Sequence, residues 1–367
     1  MSAPIIYSGP AKVVMFNGGA SPGQIAMLQA DGENGQVKVQ FDEKRTKRAT
    51  GMTGYLRSTL DDQTVKVSLT PFDSWSLLPY MFPAYLGIVT GATFQSSGAA
   101  LPSSVAGALA IGTRPHAVNG QAGSSPTGNA PTKIWTPDGR LITIARTAVT
   151  KHPSLKLGVG MPLFTGIELT GLVPPANSIG ASSGLISIAG DTQNSQSASA
   201  DPDTIGAVFD AFINGHWTGI FTGSVSGGLT TGVMDAEDGW DIAVEAKYSP
   251  LHVQKRTYDY KLDSVEVMVK ARITNQTAAA LLAEILAHTL GGTLEESASA
   301  SGGTLILSGP SSKFIGLPNC VPYLEGSGFE FGGTKLNQGE VAFVSKIDVV
   351  AGSSSPATLN SPLIFSA

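Results

Sequence analysis

The same succession of patterns occurs twice along this chain, and a duplicated succession restricts the fold to two copies of one supersecondary unit. The first copy opens with Val13-Val-Met-Phe-Asn-Gly18 and the second with Val208-Phe-Asp-Ala-Phe-Ile-Asn-Gly215. Each is an apolar run ending in Asn-Gly, a pair that tolerates the positive φ angles of a tight hairpin turn. An alternating strand follows in both. Val37, Val39 and Phe41 oppose Gln36, Lys38, Gln40 and Asp42, while Ile242, Val244 and Ala246 oppose Asp241, Ala243 and Glu245. Both read as antiparallel strands with one wet face. A basic connector, expected to be rich in turns, comes next: Asp42-Glu-Lys-Arg-Thr-Lys-Arg48, then Gln254-Lys-Arg-Thr257. A second alternating strand closes each set, Val65–Leu69 and Val265–Val269, preceded by Leu60-Asp61 and Leu262-Asp263.

The remaining matches keep the same order. An apolar helical candidate runs from Ser74 to Leu86, shortened or broken by Pro79 and Pro83; its counterpart starts at Asn275 and stops at Gly291-Gly292. Leu155–Gly160 parallels Thr334–Gly339, and Ile167-Glu-Leu169 parallels Ile347-Asp-Val349. Two β-rich domains are expected, over residues 1–170 and 205–352, with a linker at 171–204 and a tail at 353–367. The linker is rich in Pro, Ser and Gly and holds one short strand candidate, Leu185-Ile-Ser-Ile188. Ala92–Pro131 and its shorter counterpart Gly291–Ser312 read as surface loops.

Charged residues are only 14% of the 367, against ~25% in ordinary soluble domains. So large a neutral surface points to burial between subunits. The net charge of −5 does not suit a protein that grips phosphates. Cys320 is the only cysteine, which excludes an intrachain disulfide and suits a reducing compartment. The opening Met1-Ser-Ala-Pro-Ile-Ile-Tyr7 lacks the basic and apolar regions of a secretory signal, and no apolar run approaches the ~18 residues of a membrane span.

Chemistry is sparse. His116, His152, His216, His252 and His288 are scattered without metal-ligand spacing, so no metal and no cofactor is expected. Gly180-Ala-Ser-Ser-Gly184 fits Gly-x-Ser-x-Gly, but it lies in a Gly/Ser-rich linker without the strand-to-helix setting of a nucleophile elbow. Gly158-Val-Gly160 and Gly326-Ser-Gly328 lack the third glycine of a dinucleotide site and read as turns. Cys320 reads as a small buried hydrophobe. Lys44, Arg45, Lys47 and Arg48 form the strongest basic cluster, as fitting for a solvated hairpin tip as for a nucleic-acid patch or an inter-subunit contact. Asp235, Glu237, Asp238, Asp241 and Glu245 cluster in the second half, and Asp31, Glu33, Asp42 and Glu43 occupy corresponding places in the first. They suit either a solubilising face or a channel wall that repels DNA.

The opening Ser8–Gly18, Val65–Pro71 with its Trp/Leu/Phe-Pro helix, and Ile134–Ile144 continuing through His152–Leu157 to Leu163–Leu169 resemble the tail tube proteins of long-tailed bacteriophages. The resemblance covers most of the first half and implies a mainly β fold with a few helices: two tandem β-sandwich or barrel-like tube domains, each with a flanking helix. Similar proteins with two fused tube domains form trimeric rings of pseudo-sixfold symmetry. The implied function is a self-assembling virion tail component, not an enzyme, built in the host cytoplasm. Its partners would be copies of itself, other tail proteins and DNA in transit, with no membrane. Gln36, Lys38, Gln40, Asp42, Asp241 and Glu245 are then the channel-facing candidates. Lys44, Arg45, Lys47, Arg48, Lys255 and Arg256 sit on hairpins, near 42–64 and 246–264, suited to span between rings. Another virion structural protein (distal tail, tail-completion or capsid-decoration) is the nearest alternative. A carbohydrate-binding or adhesin module is the more distant one, for which Trp135, Trp217 and Trp240 are not clustered in sequence.

Overall fold

The computed structural model describes residues 12–16, 25–29, 37–50, 54–82, 86–92, 132–136, 140–144, 147–172, 186–189, 212–222, 232–253, 256–274, 303–330, 338–345 and 362–367. Over these residues the protein is mainly β, with almost no helix and with barrel-like and sandwich-like sheets.

Strands β1 (Lys12–Phe16), β2 (Ile25–Gln29), β6 (Thr132–Trp135), β7 (Leu141–Ile144) and β11 (Ile186–Ala189) form one antiparallel sheet in the order β11-β7-β6-β1-β2. A second sheet runs β3-β4-β10-β8, from β3 (Lys38–Thr50), β4 (Gly54–Leu69), β10 (Ile167–Gly171) and β8 (Thr147–Lys151). The two meet where a Cβ at Gly171 would stand 3.0 Å from the Ile144 side chain and 3.2 Å from that of Val65. Glycine there lets the layers approach this closely without displacing either side chain.

The third sheet holds β12 (Thr218–Thr222), β13 (Met234–Val253), β14 (Arg256–Ile273), β15 (Gly303–Ser308), β16 (Phe314–Glu330) and β17 (Gln338–Ser345). Its order is β15-β12-β13-β14-β17-β16, and β16 pairs back onto β15, so six strands close into a ring. Closure satisfies both edges of every strand along the paired length. Ile242, Val244, Val267, Val269, Leu305, Leu317 and Phe343 are all buried, the expected consequence of period-two alternation.

Sheet and core both run across the midpoint of the sequence. Strand β9 (Leu155–Leu157) pairs with β13, and β5 (Val89–Ala92) pairs in parallel with β18 (Ile364–Ser366), which itself pairs with β16. One contiguous core joins Trp75, Phe82 and Leu169 to Trp217, Trp240 and Phe343. Residues 173–185 and 190–211, which contain most of the expected linker, lie outside the described residues. So do the helix expected from Asn275, the loop 93–131, and the repeats expected at 334–337 and 347–349.

The first helical candidate is short, as expected, but it is not broken at Pro79, and Pro83 lies outside the described residues. A 3₁₀ turn, Trp75–Leu77, runs into α1 (Leu78–Met81), with Pro79 in the first turn, where a missing N–H costs nothing. Val65, Val67 and Leu69 are buried and alternate with half-buried partners, also as read.

Five expectations are corrected. Asn214-Gly215 is not a tight hairpin turn: neither residue has a positive φ, and the Asn214 side chain is buried. Its Nδ2 donates to Lys156 O at 2.5 Å and Met161 O at 3.1 Å, and its Oδ1 accepts the Trp217 indole N–H at 2.9 Å. The amide is a buried clamp because it can satisfy donors and acceptors at once. The basic run 42–48 is not a turn-rich connector but lies within β3, whose pairing with β4 continues to Thr50↔Gly54. Gly303–Ser308, read as part of a surface loop, is a buried strand, its apolar Leu-Ile-Leu centre outweighing the Gly/Ser flanks. Phe41, expected on the buried face, is 55% exposed, although Val65 opposite it in β4 is buried. Trp217 and Trp240 do come together, with Trp240 Nε1 donating to Trp217 O at 3.3 Å, but as buried core.

Candidate assembly interface

Both long hairpins extend past the sheets that root them. Strand β10 covers β4 only along Val65–Leu69, so beyond the Asp42–Thr64 pair the β3–β4 hairpin has no third strand among the described residues. At ~3.3 Å per residue, this first arm projects about 25 Å to its tip. Likewise β9 and β17 cover β13 and β14 only along Trp240–Ile242 and Val267–Ile273, leaving a second arm beyond the Ala246–Val265 pair.

The arms match bulge for bulge. On the first, Lys44 pairs with Asp62 and Arg45 with Leu60, so Asp61 is the extra residue. On the second, Lys247 pairs with Ser264 and Tyr248 with Leu262, so Asp263 is extra. Four residues further, the ladder slips again in both: Arg48↔Arg57 then Ala49↔Tyr55, and Leu251↔Asp259 then His252↔Thr257. Bulges strengthen twist and bend a ribbon, so equal spacing gives the two arms the same curvature. An aspartate suits the bulge because its side chain can bond locally; Asp263 accepts the Ser249 hydroxyl.

Their surroundings differ. On the first arm Lys44 and Arg45 are exposed, and Arg45 Nε donates to Glu43 Oε2 at 2.7 Å, which raises the guanidinium pKa. Lys47 and Arg48 lie on the same strand near the tip. On the second arm Arg256 opens β14 opposite Val253, and Lys255 lies outside the described residues. At its base Tyr248 and Tyr260 meet edge-on at 6.3 Å and pack on Ala148 and Leu172. The Tyr248 hydroxyl donates to His152 Nε2 at 2.5 Å, while His152 Nδ1–H donates to Met81 O at 2.8 Å. His152 is buried, and that burial pulls its pKa down to about 4 although the Met81 bond opposes the shift. The imidazole is therefore neutral with its proton on Nδ1.

The candidate channel-facing residues occupy two sheet faces. Lys38, Gln40 and Asp42 are exposed on β3, and Gln36 lies outside the described residues. Beside them, Lys66 pairs with Glu168 at 3.2 Å. Asp241 lies outside the six-stranded ring, half-exposed, its Oδ2 bonded to Lys156 Nζ and its Oδ1 buried without a partner. Glu245 is exposed on the same face, directly opposite Glu266. Sequence reading missed Glu266, which falls on the wet face only once the register is known. It also missed Tyr248, Tyr260 and His152, for which the alternation Tyr258-Asp-Tyr260 was the available signal.

Cys320 is fully buried and its thiol is pushed up to about 12 by that burial, so it packs as a hydrophobe. Gly160 has φ +72°, as a turn glycine does, whereas Gly326-Ser-Gly328 lies within β16 at a break in its pairing with β17, not in a free turn. Among the described residues no three His, Cys, Asp or Glu side chains stand close enough to hold a metal ion, and no helix is long and apolar enough to cross a membrane. No protein-family model matches the chain, and no curated protein matches it.

Proposed function

We propose that this protein is a structural, self-assembling subunit of a bacteriophage tail tube, with three chains forming a ring of six tube units and rings stacking around a channel. One observation carries the reading: two curved hairpin arms, matched in bulge position, leave their backbone edges without a partner strand among the described residues. Projecting ribbons with open edges invite pairing with other chains. Paired arms in one chain favour a repeating assembly, since heterologous contacts that close make rings. The low charge of the sequence agrees, because buried inter-subunit surface needs few charges.

In this reading the first arm's Lys44, Arg45, Lys47 and Arg48 meet a neighbouring ring. The wet faces carrying Lys38, Gln40 and Asp42, and Asp241 and Glu245, line the channel through which DNA passes to the host. Copies of itself and other tail proteins are its partners, and the virion tail is its location. Negative-stain electron microscopy of the purified chain tests this. Long tubes with a central channel and three chains per ring are expected; a monomer at high concentration, or oligomers without a channel, would overturn it.

A further inference from the structure

Strand β18 lies in a slot whose two walls come from opposite halves of the sequence. On one side Phe365 pairs with Ile315 and Ile364 with Gly316, antiparallel; on the other Ile364 pairs with Val89 and Ser366 with Ala92, parallel. Val89 N–H donates to Leu363 O and Ala367 N–H donates to Ala92 O, both at 3.0 Å. Pro362 through Ser366 are all buried. The Phe365 ring packs edge-on against Trp75 at 6.0 Å and stacks on Phe82 at 5.5 Å. The Trp75 indole N–H donates to Ser366 O at 2.9 Å, Phe314 N–H to Ser366 Oγ at 3.0 Å, and Lys313 Nζ to Ala367 O at 2.7 Å.

These contacts amount to a peptide-recognition site. Main-chain pairing on both edges supplies affinity, and a pocket for one aromatic side chain supplies selectivity. The ligand is an extended Leu-Ile-Phe-Ser segment. No contact above comes from a residue near β18 in sequence; the strand reaches the slot only through residues 346–361, which span on the order of 50 Å when extended.

We propose that the slot between β5 and β16 is a strand-acceptor site, and that in the associated protein it takes the C-terminal strand of a second copy. Exchange keeps every contact described, so it costs nothing in the slot itself. Once two copies are held together, the effective concentration of the neighbouring strand reaches the mM range, comparable with that of a tethered one. A covalently continuous strand buried in another copy would lock subunits far more firmly than surface pairing. The inference requires only that the chain associates with itself.

The test mixes two full-length chains, both carrying Cys320→Ala, one with Ala92→Cys and the other with Ser366→Cys. They are unfolded together, refolded, concentrated until they associate, and oxidised. The result expected is a covalent heterodimer on a non-reducing gel. A chain carrying both cysteines controls for geometry: if it closes on itself while the mixture yields only single chains, exchange is overturned. A chain that never associates overturns it too. Tubes without cross-linking would sink the exchange and leave the tube assignment standing.

Discussion

The two hairpin arms share bulge spacing and an extra aspartate, yet among the described residues a side-chain anchor stands only at the base of the second. Tyr248 on the second arm stands where the first has Arg45, each paired across the ladder with a leucine just after the bulge. Tyr248 reaches His152, Tyr260, Ala148 and Leu172, so its arm is fixed at the base. Arg45 reaches only Glu43 on its own strand among its charged partners, and both are exposed. One backbone design thus serves two ends. Aromatic residues at the base tie the second arm to the body, whereas exposed basic residues stand at the corresponding place on the first.

That contrast breaks most readily at Tyr248. Tyr248→Ala removes a ring packed at the arm base and leaves His152 Nε2 buried without a donor. A loss of about 3 kcal/mol in unfolding free energy is expected, read by urea denaturation. Tyr248→Phe keeps the ring and should cost about 1 kcal/mol. Equal losses for the two variants would mean that the hydroxyl, not the packing, holds the arm.

Acid probes the same anchor. His152 has its folded pKa lowered from 6.5 to about 4, so the unfolded chain binds the proton more readily. Its contribution is fully present above pH 6.5, falls as pH drops from 6.5 towards 4, and is flat below. By linkage the change is on the order of 3 kcal/mol. His152→Gln should lower stability near neutral pH and flatten that slope; an unchanged slope would place the titration elsewhere.

Much of this was legible in the sequence because strand alternation is a local signal. Val65–Leu69 and Ile242–Ala246 show their buried faces directly, whereas Leu60-Asp61 and Leu262-Asp263, read as preceding the strands, lie inside them at the bulges. What failed depends on distant partners. The burial of Gly303–Ser308 is decided by β12 and β16 on either side. Asn214 resembles a turn residue until Lys156, Met161 and Trp217 surround it. The slot for β18 joins Trp75 to Ser366, a separation no periodicity reveals.

A smaller effect is expected on the wet face of the ring. Asp241→Lys would set a third cation beside Lys156 and opposite Lys270. The lost pair is half-exposed and screened, so about 1 kcal/mol or less is expected at low salt, shrinking as salt rises. A loss of several kcal/mol, insensitive to salt, would show that the buried Oδ1 has a structural partner.

The least effect on the fold, and the greatest on association, is expected from the first arm. Lys44→Glu with Arg45→Glu changes exposed side chains, so the urea midpoint should not move measurably. Association should fail, because complementary charge steers and registers an encounter, and reversing it juxtaposes like charges. Lys247→Glu on the second arm is the matched control, since that residue occupies the position of Lys44 and is likewise exposed. Sedimentation of the three proteins separates the outcomes. If reversal on the first arm abolishes large particles while Lys247→Glu leaves them, the arms divide anchoring from contact. Should both sediment like the parent, neither arm's charge takes part. A shifted midpoint for the first-arm variant would mean that this arm, too, is held by the body.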